Sequence, residues 1–174
     1  RHTPFSRDEI QVGFVNIGIY KENYSKILLV IVNKNILKEQ IDSFLKAGVR
    51  INKVFFAPEG IASFYSKSLD LKKNEAPTAI VDIGKKSTDF LIVHKDVVVT
   101  YRNIPFGKTN LLEGGKDAEN KLIDELVKSM ESYKNEDIEK PPLECVLTAD
   151  DDCIKELQGA LESKLNLGVR MASY

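Results

Sequence analysis

The sequence is short of the features that announce several common functions. Its two cysteines, Cys145 and Cys153, have neither the density of a disulfide scaffold nor the C-x-x-C spacing of a zinc site or redox pair, so they read as inert thiols in a reducing compartment. No apolar run is long enough to cross a bilayer, and the opening stretch RHTPFSRDEI lacks the apolar centre of a signal peptide. The expectation is a soluble, cytosolic domain with no direct membrane insertion. Charge of one sign is lacking too: 25 basic residues against 26 acidic ones leave −1, which gives no whole-chain footprint for nucleic acid or anionic lipid. Histidine is scarce. His2 lies in a tail, and His94 has no second histidine in its half of the chain, so it reads as a surface or satisfied imidazole rather than a catalytic one. No internal repeat or low-complexity tract is visible.

What is present is a chain of 174 residues, 43% hydrophobic, enough for one ordinary core or two small ones. Residues 10–19 and 26–33 are β-branched runs separated by a polar loop, which predicts an antiparallel hairpin. Residues 35–47 carry Ile36, Leu37, Ile41, Phe44 and Leu45 at helical spacing, with Asn35 as cap and Gly48 as stop, and predict an amphipathic helix over one sheet face. INKVFFA, 51–57, reads as a strand, and Pro58 opens a short helix. The stretch 66–77 loses its periodicity and gathers charge before a proline, marking a boundary. The aromatic residues Phe55, Phe56, Phe64 and Tyr65 read as core, or as a partner surface if left uncovered.

Three strand-like runs follow, 78–83, 89–94 and 96–102, then a helix at 117–133 with Leu122, Leu126, Val127 and Met130 on one face. A short buried strand, LECVLTA, places Cys145 as a packing residue. A helix over 154–165 and a last strand, VRMA, complete the order. Strand, strand, strand, helix, strand, helix is the order of a ribonuclease-H-like half-domain with a mixed sheet.

The stretch with chemical content is AIVDIGKKSTDFLIVH, 79–94. Gly84 permits close backbone approach, the N–H groups of the turn can face an anion, and Ser87 and Thr88 add hydroxyls. Asp82 is placed to hold a magnesium-bound water, and Lys85 and Lys86 are further candidates for phosphate contact. The same residues also satisfy a plain β-hairpin, whose turn asks for Gly, Lys and Ser on geometric grounds alone. Asp150, Asp151 and Asp152 admit three readings: caps at a helix start, a metal site, or repulsion of a polyphosphate.

AIVDIGKKSTDFLIVHKDVVVTYRNIPFG resembles the second phosphate loop and following hairpin of the PilM family, the actin-like proteins of type IV pilus assembly related to FtsA. LVIVNKNILKEQIDSFLKAGVRINKVFFAPEGIASFY and TPFSRDEIQVGFVNIG are similar to the family's elements upstream. The resemblance implies an actin-like ATPase (ribonuclease-H-like) half-domain, preceded by a small α+β inserted-type subdomain. The expected division is 1–66 for that subdomain with the strand and helix after it, 67–77 for a linker, and 78–174 for the second lobe. Where the family carries a glycine-rich adenosine loop, this chain reads Ala149, Asp150, Asp151 and Asp152. No first phosphate loop lies within the sequence, which opens on Arg1 and reads as a segment of something longer.

A member or fragment with a degraded nucleotide site is therefore expected. ATP and magnesium are implied for a longer parent but not expected on this chain. The implied work is that of a cytoplasmic scaffold, peripheral to the inner membrane through a PilN-like partner. That partner's cytoplasmic tail would add to a strand edge or fill a groove beside the 35–47 helix. Binding rather than turnover is the expected output, and a homo-oligomer stays open. The alternative is a ribonuclease-H-like metal-dependent nuclease using Asp82, Glu119 and Asp150, against which stands the lack of basic charge.

Overall fold

The structure is a computed structural model that describes residues 5–20, 23–135, 140–149 and 155–172. The chain divides into two compact units, residues 1–60 and 61–174. In the first, β1 (Ile10–Tyr20) and β2 (Tyr24–Asn33) pair antiparallel, with Val12 opposite Ile31 and Phe14 opposite Leu29. This register aligns Val12, Phe14, Ile27, Leu29 and Ile31 on one face of the ribbon, and all five are exposed. Helix α1 (Lys34–Lys46) follows β2 directly. Its cap is Asn33, whose side chain accepts the Asn35 N–H at 2.8 Å, two residues ahead of the expected cap.

Gly48 ends α1 as expected. Its φ of +76° lets Val49 N–H reach back to the Phe44 carbonyl at 2.9 Å, a left-handed closure that glycine adopts without the cost of a Cβ. The sequence led us to expect a strand at 51–57, but 49–56 belongs to no strand among the described residues. Its β-branched and aromatic composition suits a ladder, yet a strand exists only through a hydrogen-bonded neighbour, and none is supplied here.

Helix α2 (Ala57–Ser68) carries Pro58 in its first turn. Ala62, Tyr65 and Leu71 are buried, so the later part of α2 and the short turn after it belong to the second unit. The division accordingly falls at Gly60/Ile61, ahead of the 67–77 segment that the loss of apolar periodicity suggested as a linker.

The second unit is built on a five-stranded sheet ordered β5-β4-β3-β6-β7. β3 (Thr78–Ile83), β4 (Thr88–His94) and β5 (Val97–Ile104) form an antiparallel meander, and β6 (Glu144–Ala149) and β7 (Gly168–Ala172) extend it parallel to β3. Lys95 and Asp96 turn β4 into β5 with φ of 50° and 72°, the paired positive values of a tight hairpin turn whose twist suits the strands. The central strands are apolar on both faces, as expected where helices cover a sheet: Ile80, Val81, Leu91, Ile92, Val146 and Leu147 are all fully buried.

Helix α3 runs Lys108–Asn135, with non-helical backbone at Gly115 (φ 52°, ψ −136°). It thus starts well before the expected 117, with the glycine pair as a corner between a short first segment and a long second one. The long segment buries Ala118, Leu122, Leu126, Met130 and Tyr133, a stripe at helical spacing that faces the core. Helix α4 (Lys155–Leu165) contributes Leu157, Leu161 and Leu165.

Candidate functional site

Two places carry chemistry, one in each unit. In the second, β3 ends in Asp82 and Ile83, the chain turns through Gly84 to Ser87, and β4 returns from Thr88. The Gly84 N–H donates to the Ser87 carbonyl at 2.9 Å, closing the turn on itself. The start of α3 then locks onto it: Lys108 N–H donates to the Gly84 carbonyl at 2.9 Å and Thr109 N–H to the Lys85 carbonyl at 3.0 Å. This contact needs Gly107. A Cβ there would stand 2.6 Å from the Gly84 oxygen, the Lys86 carbonyl carbon and the Ser87 nitrogen, so the two segments touch through backbone alone. Asn110 caps the junction by accepting Gly107 N–H at 3.0 Å.

The expected donors fare differently. Thr88 is fully buried and its hydroxyl donates to the Phe106 carbonyl at 2.7 Å, so its proton serves the fold. Gly84, Lys85 and Lys86 are exposed and Ser87 is half-buried. The groups that face solvent for an anion are therefore the backbone around Lys85 and Lys86, their ammonium groups, and Ser87. These are the groups left as candidates for an anion, since the Gly84 amide and the Thr88 hydroxyl are already engaged.

Behind the turn, a polar row crosses the end of the sheet. Asp82 lies in register with Asp89 on β4 and Thr148 on β6, and Asp89 with Asn103 on β5. Residues paired this way share a face, and two carboxylates directly opposite repel. The sheet offsets that repulsion with donors: Thr148 Oγ1 donates to Asp82 Oδ1 at 2.7 Å, while Tyr101 Oη and Asn103 Nδ2 donate to Asp89 Oδ1 at 2.9 and 2.8 Å. Burial first, and then the bond to Asp89, push the Tyr101 hydroxyl up to about 12.

The sequence offered Asp82 as a candidate but not its row partners Asp89, Asn103 and Thr148, because cross-strand partners are set by register and carry no local motif. Gly107 was missed for the same reason. Its one signal was a glycine between a strand and a helix start.

The nuclease reading gains no support from the described residues. Glu119 lies on α3, where its carboxylate takes the Lys116 ammonium at 2.7 Å. Asp150, with Asp151 and Asp152, lies outside the described residues. Among the described residues no group of three His, Cys, Asp or Glu side chains is placed to hold a metal ion. Cys145 is fully buried, and burial, with a smaller push from Glu144, raises its thiol to about 12, so it is a packing residue. His94 is half-buried, and its Nε2 has no hydrogen-bond partner among the described residues. No described helix is long and apolar enough to cross a membrane.

The second place is a groove of about 640 Å³ in the first unit, between α1 and the 49–55 segment. Leu37, Ile41 and Phe44 form one wall and Val49, Val54 and Phe55 the other. Phe55 is 72% exposed and Val54 57%. Apolar side chains at this exposure, gathered along one concavity, make it a candidate interaction surface.

Comparison with known proteins gives these two places a context. The family profile described as type IV pilus assembly protein PilM matches residues 1–134. The comparison with curated proteins returned no match. Among solved structures, the chain is similar to one described as a PilM–PilN type IV pilus biogenesis complex, with a TM-score of 0.74 at 16% identity over 98% of this chain. It spans 58% of that protein's length. A protein of actin-like ATPase fold and unknown function from Bacteroides thetaiotaomicron aligns over 96% of this chain and 55% of its own, with a TM-score of 0.51 and 10% identity. The ethanolamine utilization protein EutJ from Carboxydothermus hydrogenoformans aligns over 80% and 56%, with a TM-score of 0.51 and 18% identity. The meander extended by two parallel strands is thus half of an actin-like fold, preceded by a small α+β unit. With its family profile covering residues 1–134, the chain belongs to the PilM family of type IV pilus assembly proteins.

Proposed function

We propose that this chain works in type IV pilus assembly as an adaptor, and that its first unit docks the cytoplasmic tail of a PilN-type inner-membrane protein. The observation that carries this reading is that none of the described residues among 1–57 is buried, although this stretch holds Phe14, Leu29, Phe44, Val54 and Phe55 among its exposed large side chains. A two-stranded ribbon with one helix is marginal by itself. Apolar surface left open on this scale gains by being covered, at about 25 cal/mol per Å² buried. The groove beside α1 supplies a concave seat, and the mode that suits it is a short segment laid along a helix with apolar anchors pointing in.

The family context supports a nucleotide in the wider fold. Among the described residues, those this chain would offer such a site are the Lys85–Ser87 backbone, the Lys85 and Lys86 ammonium groups, the Ser87 hydroxyl and the Asp82 carboxylate. Output by binding, at the inner face of the membrane through the partner, is the reading these residues favour.

Titration of a PilN-type tail peptide into the chain tests it. Saturable binding weakened at least about tenfold by Phe44→Glu, a charge placed in an apolar seat, is the expected result. No detectable binding at millimolar peptide overturns it.

A further inference from the structure

The groove has a charge as well as a shape. Besides its apolar walls it is lined by the amides of Gln40 and Asn52 and by two cations, Arg50 and Lys53, and among the described residues no carboxylate lines it. Both cations are exposed, and neither has an ion-pair partner among the described residues. The acids of α1, Glu39 and Asp42, are not in the lining. Helical spacing puts them away from the face that carries Leu37, Ile41 and Phe44. From Ser43 to Pro58 the sequence holds Lys46, Arg50 and Lys53 and no Asp or Glu, in a chain whose total is −1. The positive charge is therefore local and set beside the apolar seat.

Resting on the docking reading above, we infer that the segment seated here carries apolar anchors flanked by carboxylates. The anchors fill the walls between α1 and 49–55, and the carboxylates reach Arg50 and Lys53. Arg50 is suited to this because its planar fork meets a carboxylate through two parallel hydrogen bonds. Rim pairs of this kind fix register and partner choice more than they add affinity. An anionic bilayer would offer the same two chemistries. It engages side chains that protrude, however, whereas these line a concavity of about 640 Å³, the size that holds the side chains of a bound segment.

The test uses the whole chain and two labelled short peptides with the same leucine and phenylalanine anchors, one flanked by glutamates and the other by lysines. Anisotropy is read at low and physiological salt, beside phosphatidylcholine vesicles with and without phosphatidylglycerol and the PilN-type tail peptide. The glutamate peptide should bind about tenfold more tightly at low salt, with the gap narrowing as salt screens the pairs. The exposed double substitution R50E/K53E should reverse the preference while leaving the circular dichroism unchanged. Equal binding of both peptides, or indifference to R50E/K53E, overturns the charge inference and leaves docking intact. Binding of the partner tail with neither peptide retained does the same. Capture only by anionic vesicles makes the surface a lipid contact and overturns it. Failure of the partner tail together with both peptides removes the docking reading itself.

Discussion

At the scale of single residues, Gly107 bears the sharpest constraint. Its missing Cβ would meet three backbone atoms at 2.6 Å, and backbone cannot rotate aside as a side-chain tip does. Gly107→Ala should therefore push the α3 start off the Gly84 turn and cost about 2–3 kcal/mol, the range of a forced overpacking. Gly84→Ala meets a single atom, the Ser87 carbonyl oxygen, at 3.0 Å, and should cost about 1 kcal/mol or less. Urea midpoints of the two variants check the order, and equal losses would contradict it. Tyr101 gives a pH signature. Its hydroxyl titrates at about 12 in the folded chain and near 10 when unfolded, so over that window the unfolded state binds fewer protons. Stability falls as pH rises through it and is unaffected below it. Tyr101→Phe should flatten the decline between about pH 10 and 12. Phenolate absorbance should also lose one tyrosine that titrates at about 12.

At the scale of elements, what was legible follows from where the determining contacts lie. The hairpin β1–β2, the meander and the helices α1, α2 and α4 are specified by local period and punctuation, and each formed within a few residues of its expected bounds. Asn33 and Gly48 close α1 with bonds that span only a few residues, which is why a cap and a stop can be read from a string. The 49–56 segment shows the converse. Its residues suit a strand, but pairing is a property of a neighbour, and sequence periodicity is blind to whether one is supplied. Helix α3 was cut short for a related reason. Gly114 and Gly115 look like a terminus, and the local backbone at Gly115 does leave helical geometry, but the segment before it is held by Lys108 and Thr109 bonding to the Gly84 turn. The candidate site divides the same way. The Gly84–Thr88 turn was visible as a motif, whereas the engagement of Thr88 by Phe106 and the row of Asp82, Asp89, Asn103 and Thr148 depend on register between strands distant in sequence.

At the scale of the whole molecule, the two units differ in what holds them. All of the buried hydrophobic side chains among the described residues lie between Ala62 and Val169, so the second unit owns the core. The first unit has a ladder and a helix but no buried side chain among its described residues before Pro58. A chain starting at Ala57, which keeps α2 whole, should therefore unfold in one cooperative transition close to that of the intact protein, since it loses no core residue. Residues 1–60 alone should show no cooperative transition, because a ribbon without an interior cannot offset the entropy of ordering its chain. In the intact protein the same difference should be local. Amides of β1, β2 and α1 should exchange with solvent faster than those of β3, β4 and β6, and should slow when a segment fills the groove, as expected where ordering is completed by binding. Calorimetry of the two pieces and amide exchange with and without the PilN-type tail measure each of these. A sharp transition for residues 1–60, or exchange there as slow as in the five-stranded sheet before any ligand is added, would show that the first unit is stable by itself. Its exposed apolar side chains would then be ordinary surface, and the docking surface would lose the argument that carries it.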